Sequence, residues 1–410
     1  MEIKSPERYF FDLIPIDILL EPEEINEILS TFPAPELHFT KDTFKLDDQL
    51  AGNNITQRVL LNEFEVKLTR TDKQYLRLSF SNNHGIIPAK MWDNQGAVNK
   101  YLPILEQHSI FHIEGIVDEY NNQKSLTISQ LNPVSEAIDP FSLLPYTRDD
   151  FPSLIVELFS YIKRLDQPYR TLAEQTLKHF WHDFRLAPAA KSHHHNYLGG
   201  LLKHTVGLMR FAHYISTFDK GHIEAVMTLI QVVEKAYKKE LYQSYKSDNS
   251  SSRFIWRDTI DHLYAMTNGA MQYKNQLPNY HILITAILFH DLGKILEYDH
   301  AGRSDTALSF LYPTADLTSI KNRKQAGISI NDLGGLMGHI PYGVLLLTRL
   351  LESYQIELDI QAIHELSHCI LCHHGLPEWG SAVRRPQTLE GYLVHIVDYL
   401  DSRYENALSK

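Results

Sequence analysis

Cysteine is almost absent: Cys369 and Cys372 are the only two in 410 residues. A disulfide framework is thereby excluded, and two closely spaced thiols suit a reducing compartment. Long apolar runs are missing as well. No stretch approaches the roughly 20 uninterrupted apolar residues of a membrane span. The opening MEIKSPERYFFDLIPIDILLEPEE lacks the basic-then-apolar order of a secretory signal. The expectation is a cytoplasmic chain with no membrane partner. Basic charge is scarce, with 39 Lys and Arg against 50 Asp and Glu and a formal net charge of −11. Residues 1–50 carry a net −8 of this, from twelve acidic and four basic residues, leaving −3 for the other 360. Strong nonspecific binding of nucleic acid through a basic surface is excluded, whereas a local binding face is not.

What is present is 43% hydrophobic residues, enough over this length to bury a sizeable core in two or three domains. Residues 1–54 read as an acidic, proline-punctuated extension with one helix through Glu23 to Leu29 and no legible function. From 55 to 135 the pattern becomes five short alternating runs, LLNEFEVKLTR, QYLRLSFSN, IIPAKMW, SIFHIEGIVDEY and SLTISQL, at the spacing of an OB-type barrel. Phe64, Tyr75, Phe80 and Trp92 alternate there with Lys67, Arg70, Lys73, Arg77 and Lys90, the residue types that stack bases and track phosphates. Phe64, Lys67, Tyr75, Arg77 and Trp92 are the candidate nucleic-acid contacts. Any single aromatic among them is more often barrel core, and such a barrel also serves as a protein-docking module.

Residues 136–185, with Pro140, Pro145 and Pro152, read as a linker and connecting helices. The remainder, 186–410, is helical. One helix covers 198–212, another follows Pro341, a third spans 360–372 and stops at Gly375, and a fourth runs from Thr388 past Leu400. The segment 219–280, with its polar tract KSDNSSSR, reads as an insertion. The fold class is therefore multidomain α and β, an N-terminal OB-fold β-barrel followed by an all-α helical bundle.

The chemistry-bearing residues fall on separate helices. The run ITAILFHDLGKILEY delivers an adjacent imidazole and carboxylate, His290-Asp291, and then a cation, Lys294. Neighbouring ligands followed by a phosphate-sized charge point to metal-assisted phosphoester chemistry. A mononuclear site would use His204, His290, Asp291 and Asp398. A second ion could use His339 and one of His373 and His374, with Asp291 bridging. Successive helical residues point about 100° apart, so only one of the paired histidines is expected on one ion. His373 is favoured, with His374 as ligand or substrate contact. Lys294 could instead satisfy carbonyls at a helix end. Trp379 could stack on a base at a pocket mouth or anchor its loop, and Arg384 and Arg385 could meet phosphate or be solvated surface.

Two rival patterns need weighing. His364-Glu365-Leu366-Ser367-His368 satisfies the H-E-x-x-H motif of a zinc peptidase, but no G-x-x-H follows to supply a third ligand. Cys369 and Cys372 form a single C-x-x-C, short of a tetrahedral zinc site unless a histidine joins, and read as buried helix cysteines.

The order His204, His290-Asp291, Asp398 resembles that of the HD phosphohydrolase superfamily. With an OB barrel ahead of it, the chain from about 55 to 410 is similar to the YhaM-type 3′-to-5′ exoribonucleases. The runs RLAPAAKSHHHNYLGGLLKHT, LFHDLGKILEY, GHI, LCHHGLPEWGSAVRRP and HIVDYLD carry the likeness. The resemblance implies a metal centre of His204, His290, Asp291 and Asp398, Lys294 on phosphate, and pocket-lining positions for His195, His339, His373 and His374. It implies manganese, one or two ions, with Mg2+, Fe2+ or Zn2+ as alternatives. The extension, the 219–280 segment and the stretch from about 299 to 330 depart from the family pattern.

The resulting expectation is a metal-dependent 3′-to-5′ exonuclease on single-stranded RNA, and on DNA as a further substrate. A metal-activated hydroxide is the nucleophile, with Lys294, His195 and His374 as catalytic candidates. One alternative is an HD phosphohydrolase of nucleotides or cyclic nucleotides whose barrel serves assembly. Another is a non-catalytic nucleic-acid-binding protein with a structural metal. A homo-oligomer is compatible with each.

Overall fold

The computed structural model describes residues 7–37, 44–135, 139–191, 195–246, 256–321, 327–379 and 382–404. Five strands, β1 (Asn54–Leu68), β2 (Gln74–Asn82), β3 (Gly85–Trp92), β4 (Ile110–Tyr120) and β5 (Gln123–Val134), close a barrel in the order β1-β2-β3-β5-β4. The long β1 makes closure possible by pairing twice: its first half lies antiparallel to β4 and its second half to β2. A register shift between Leu61 and Glu63 bends it between the two partners. β3 and β5 pair in parallel, and the helix α1 (Ala97–Gln107) between β3 and β4 turns Val98, Tyr101 and Leu105 into the barrel interior. This is the OB arrangement expected from the alternating runs. Along β2 the period of two sends Leu76, Leu78 and Phe80 inward and leaves Tyr75 and Arg77 facing out.

The helical part shares one apolar core. Its helices are α2 (Phe151–Ile162), α3 (Tyr169–Leu186), α4 (Gly200–Thr217), α5 (His222–Lys246), α6 (Trp256–Ala270), α7 (Tyr280–His290), α8 (His339–Ser353), α9 (Ile360–Cys372) and α10 (Leu389–Tyr404). The apolar run ILITAILFH explains why α7 is central. Every residue from Ile282 to His290 is buried, and α4, α9 and α10 pack around it. Asn279 starts that helix by accepting hydrogen bonds from the His281 and Ile282 N–H groups at 3.1 and 3.2 Å.

Two segments that read as peripheral are built into this core. α2 and α3, expected as connecting helices, contribute Leu158, Phe159, Leu177 and Phe180 to it. α5 and α6, inside the 219–280 segment, contribute Leu229, Ile230, Val233 and Leu263. Most of the KSDNSSSR tract between them lies outside the described residues. The N-terminal extension docks here too. Its helix, Pro22–Thr31, buries Ile28, while Phe10 is fully buried with its ring 4.7 Å from that of Phe211 on α4. Beneath it, Arg210 holds Glu157 through two 2.7 Å hydrogen bonds, both groups buried, and its guanidinium lies 4.6 Å from the Tyr9 ring centroid. Among the described residues no helix is long and apolar enough to cross a membrane.

Candidate metal centre

The centre forms where α7 ends. His290 is the last residue of the helix and Asp291 caps it, so the backbone breaks direction between the two side chains. Gly293 lets the start of α8 approach: a Cβ there would sit 2.0 Å from the His339 carbonyl oxygen. α4 supplies His204, α10 supplies Asp398, and the end of α9 supplies His373 and His374.

Around Asp291 these side chains gather into two groups. On one side, His204 Nε2 lies 3.2 Å from Asp398 Oδ1, 3.3 Å from His290 Nε2 and 3.5 Å from Asp291 Oδ2. On the other, Asp291 Oδ1 lies 3.5 Å from His339 Nε2 and 3.6 Å from His373 Nε2, and His339 Nε2 lies 3.1 Å from His374 Nε2. Asp291, His339, His373 and His374 each bring one ligand-type atom within 4.8 Å of the others, and so do His204, His290 and Asp398. The two oxygens of Asp291 thus face opposite groups.

Second contacts fix the rings. Nδ1 of His290 donates to the Ile287 carbonyl at 2.6 Å, and Nδ1 of His373 to that of Ile370 at 2.7 Å. Nδ1 of His339 donates to Glu297 Oε2 at 2.6 Å, and Nδ1 of His204 to Asp401 Oδ2 at 2.7 Å. Four imidazoles therefore turn Nε2 toward Asp291, the arrangement by which second contacts orient metal-ligating histidines.

The donor set fits a divalent cation. Asp291 Oδ1 and His373 Nε2 are buried and have no hydrogen-bond partner, although they face each other. Two acceptors turned together in a dry site are costly unless a cation lies between them. Atoms held about 2.1 Å from one ion lie roughly 3.0–3.4 Å apart, close to the separations seen in both groups. Burial holds His290 and His339 below the ordinary histidine range, and burial followed by the neighbouring His373 and His339 holds His374 well below it. These rings are neutral, as ligation requires. Burial opposes the ionised form of Asp291, but the Lys294 ammonium beside it favours that form and the carboxylate stays ionised. In the metal-free protein burial also opposes a charge on His204, yet hydrogen bonds to Asp398 and Asp401 outweigh that and raise its pKa to about 10.

Several expected residues sit differently from the sequence reading. His374 lies beyond the last residue of α9, next to Gly375 at φ +82°, and its ring packs 4.3 Å from that of His373, so both rings reach the second group. The 100° separation of helical neighbours no longer governs there. Lys294 is buried, donating to Asp291 Oδ2 and, at 2.6 Å, to the Ala189 carbonyl. His195 lines the site but engages both ring nitrogens, with Asp401 Oδ2 at 3.0 Å and the Tyr197 hydroxyl at 2.8 Å. Both of its ring nitrogens are thereby engaged within the protein. Asp401 and Tyr9 were not legible as site residues. The Asp401 carboxylate holds His204 and His195 through one oxygen, and its other oxygen accepts from the Tyr9 hydroxyl at 2.7 Å. A Cβ at Gly207 would lie 2.3 Å from that carboxylate, so glycine makes the approach possible.

His364 and His368 point elsewhere. His364 Nδ1 donates to the Ile360 carbonyl at 2.7 Å, and His368 Nε2 accepts from the Gln387 N–H at 2.9 Å. Neither belongs to a ligand group among the described residues, which removes the basis for a peptidase. Cys369 and Cys372 are buried free thiols.

A cavity of about 620 Å³ opens over the centre, lined by His204, Lys294, His339, His374 and Asp398 and also by Trp379, Tyr399 and Arg403. Arg384 is exposed and is not among the lining residues. On the barrel, Lys67 pairs across strands with Tyr75, and Tyr75 with Trp92, whose ring lies 5.3 Å from that of Tyr75. Arg77 and Lys90 form the next cross-strand pair, and the Lys90 ammonium lies 5.3 Å from the Trp92 ring. Phe64 is half-buried and packs against the barrel core.

Comparison with known proteins agrees with this geometry. Residues 259–403 match the HD domain family. That stretch is an HD domain. It contains His290, Asp291, His339, His373, His374 and Asp398, whereas His204 on α4 precedes it. Over most of its length the chain is a distant homologue of proteins named 3′-5′ exoribonuclease YhaM. It is 24% identical to the one from Bacillus subtilis strain 168 over 359 residues, 86% of each chain. It is 22% identical to that of Listeria innocua over 364 residues, 87% of this chain and 88% of the relative. It is 24% identical to that of Shouchella clausii over 361 residues, 86% and 84%. No solved structure matches the chain.

Proposed function

We propose that this HD-domain phosphohydrolase is a metal-dependent 3′-to-5′ exonuclease acting on single-stranded RNA, with DNA as a further substrate. The observation that carries the reading is Asp291, whose two oxygens face two separate histidine-rich groups beside a buried lysine in an open cavity. His204, His290, Asp291 and Asp398 would hold one ion, and Asp291, His339, His373 and His374 a second. Manganese is the proposed metal. Such a pair supplies Lewis-acid charge to a phosphoryl group and lowers the pKa of water toward neutrality.

The chain's own residues do the rest. Lys294 has three N–H donors, and two point at Asp291 and Ala189, leaving one for a phosphoryl oxygen at the cavity wall. His195 and Asp401 keep the His204 ring in register, a positioning task. The row Lys67, Tyr75 and Trp92, with Arg77 and Lys90 beside it, gives the barrel a face of aromatic rings and cations suited to holding a strand without reading its sequence. The distant exoribonuclease homologues support RNA as the polymer and the 3′ end as the start.

Product analysis tests the reading. 5′-Labelled single-stranded RNA with manganese should shorten one nucleotide at a time and be untouched in EDTA. Hydrolysis of small nucleotides with intact RNA would favour a nucleotide phosphohydrolase instead, and EDTA-resistant binding without turnover would leave only a binding protein.

A further inference from the structure

Part of the cavity lining is aromatic and lies outside the two ligand groups around Asp291. Trp379 is 48% exposed, while the three rings grouped around it, His262, His395 and Tyr399, are buried. Its ring lies 4.4 Å from that of His262 and 6.3 Å from that of Tyr399, the latter only 27° from parallel. Behind it His262 Nε2 lies 2.7 Å from His395 Nε2, and His395 Nδ1 donates to the His373 carbonyl at 2.6 Å. The wall is thus hydrogen-bonded to the backbone of a candidate metal ligand. Arg403, exposed and one helical turn after Tyr399, lies 5.0 Å over the Tyr399 ring. α10 therefore presents Asp398 to the ions and Tyr399 and Arg403 to whatever is attached to the phosphate. His262 comes from α6, which gives the 219–280 segment a place in the site.

We infer that Trp379, Tyr399 and Arg403 form a subsite for the base of the strand's terminal nucleotide, the one released at each cut. This rests on the nuclease reading above and adds what fills the aromatic part of the cavity. A phosphoryl group over Asp291 leaves its sugar and base within the same enclosure, and a half-open indole backed by buried rings is a stacking platform. An adjacent guanidinium adds cation–π attraction to a base or charge for a second phosphate. Stacking uses the π-face that every base has, so the subsite accepts all four bases.

Calorimetric titration of the manganese-loaded protein with AMP and with ribose 5-phosphate tests the subsite independently of turnover. AMP should bind roughly 5- to 150-fold more tightly, the span that base stacking on an aromatic side chain supports. Trp379→Ala should erase most of that difference while leaving ribose 5-phosphate binding unchanged, and Trp379→Phe should restore part of it. Equal affinities for the two ligands, or an unaltered preference in Trp379→Ala, would overturn the inference. A second comparison uses single-stranded RNA whose 3′-terminal residue is abasic. If ordinary RNA is degraded and the abasic end is removed with the same kcat/KM, the subsite is refuted while the nuclease reading stands. If neither RNA is cut with any metal, the nuclease reading fails, and the AMP comparison still decides whether the wall binds a base.

Discussion

Asp401 lies one helical turn beyond the candidate ligand Asp398 and holds the ring of the candidate ligand His204, which makes it the sharpest probe of how the centre is held. Its carboxylate is buried and receives three hydrogen bonds, from His204 at 2.7 Å, Tyr9 at 2.7 Å and His195 at 3.0 Å. Asp401→Ala removes all three partners and frees the His204 ring to rotate. Losing such an outer contact typically weakens metal binding by about 10- to 100-fold, or about 1.4–2.8 kcal/mol. Asp401→Asn separates geometry from charge. Its amide oxygen can accept from both histidines while its NH2 donates to the Tyr9 oxygen, so affinity should fall by less than in Asp401→Ala. Tyr9→Phe removes one donor from a buried charge and should cost about 1.5–3 kcal/mol of folding stability. The assay is competition for manganese against a chromophoric chelator, with urea unfolding of the metal-free forms alongside. Wild-type affinity in Asp401→Ala would refute the idea that this carboxylate orients a metal ligand.

Other consequences follow from named groups. In the metal-free protein His204 stays protonated up to pH of about 10, so loading metal at pH 7.5 should release a proton. Calorimetric binding heats should then change with the ionisation enthalpy of the buffer, and identical heats in phosphate and Tris would contradict it. The same raised pKa stabilises the metal-free fold fully below the unfolded histidine value of about 6.5, and that contribution is lost as pH rises through about 10. Arg210→Ala strands the Glu157 carboxylate among buried groups and should cost about 3–5 kcal/mol in urea unfolding, whereas a loss under 1 kcal/mol would mean the pair is dispensable. On the barrel, Tyr75→Ala with Trp92→Ala should weaken binding of long single-stranded RNA by roughly 1–3 kcal/mol per lost stack and leave cleavage of a dinucleotide unchanged. Equal loss on both substrates would remove the barrel face from strand binding.

Much of this organisation was legible because it rests on local rules. The inward Leu76, Leu78 and Phe80 of the barrel follow from alternation, and the apolar run into His290-Asp291 announces a buried helix ending in ligand-type side chains. Other parts depend on contacts that no local pattern encodes. The hydrogen bond from Tyr9 to Asp401 spans 392 positions, and its partner looks like any aromatic in an acidic lead-in. The 219–280 segment resembles an insertion because its polar tract dominates the reading, yet the amphipathic helices on either side bury Leu229, Ile230, Val233 and Leu263. Helical geometry separates His373 from His374 only while the helix lasts, and it ends at Cys372. Phe64 illustrates the reverse, an aromatic on a mostly exposed stretch of strand that still packs against the barrel core.

The central claim is that Asp291 joins two ion sites, and counting metal per chain tests it most directly. Wild-type protein dialysed with manganese and analysed by plasma emission should carry two ions. Asp291→Ala, verified as folded by circular dichroism, should carry at most a trace, because the oxygens facing His204 and His339 are lost at once. His339→Ala, which touches only the second group, should keep one. A folded Asp291→Ala protein that still binds two ions would contradict the account.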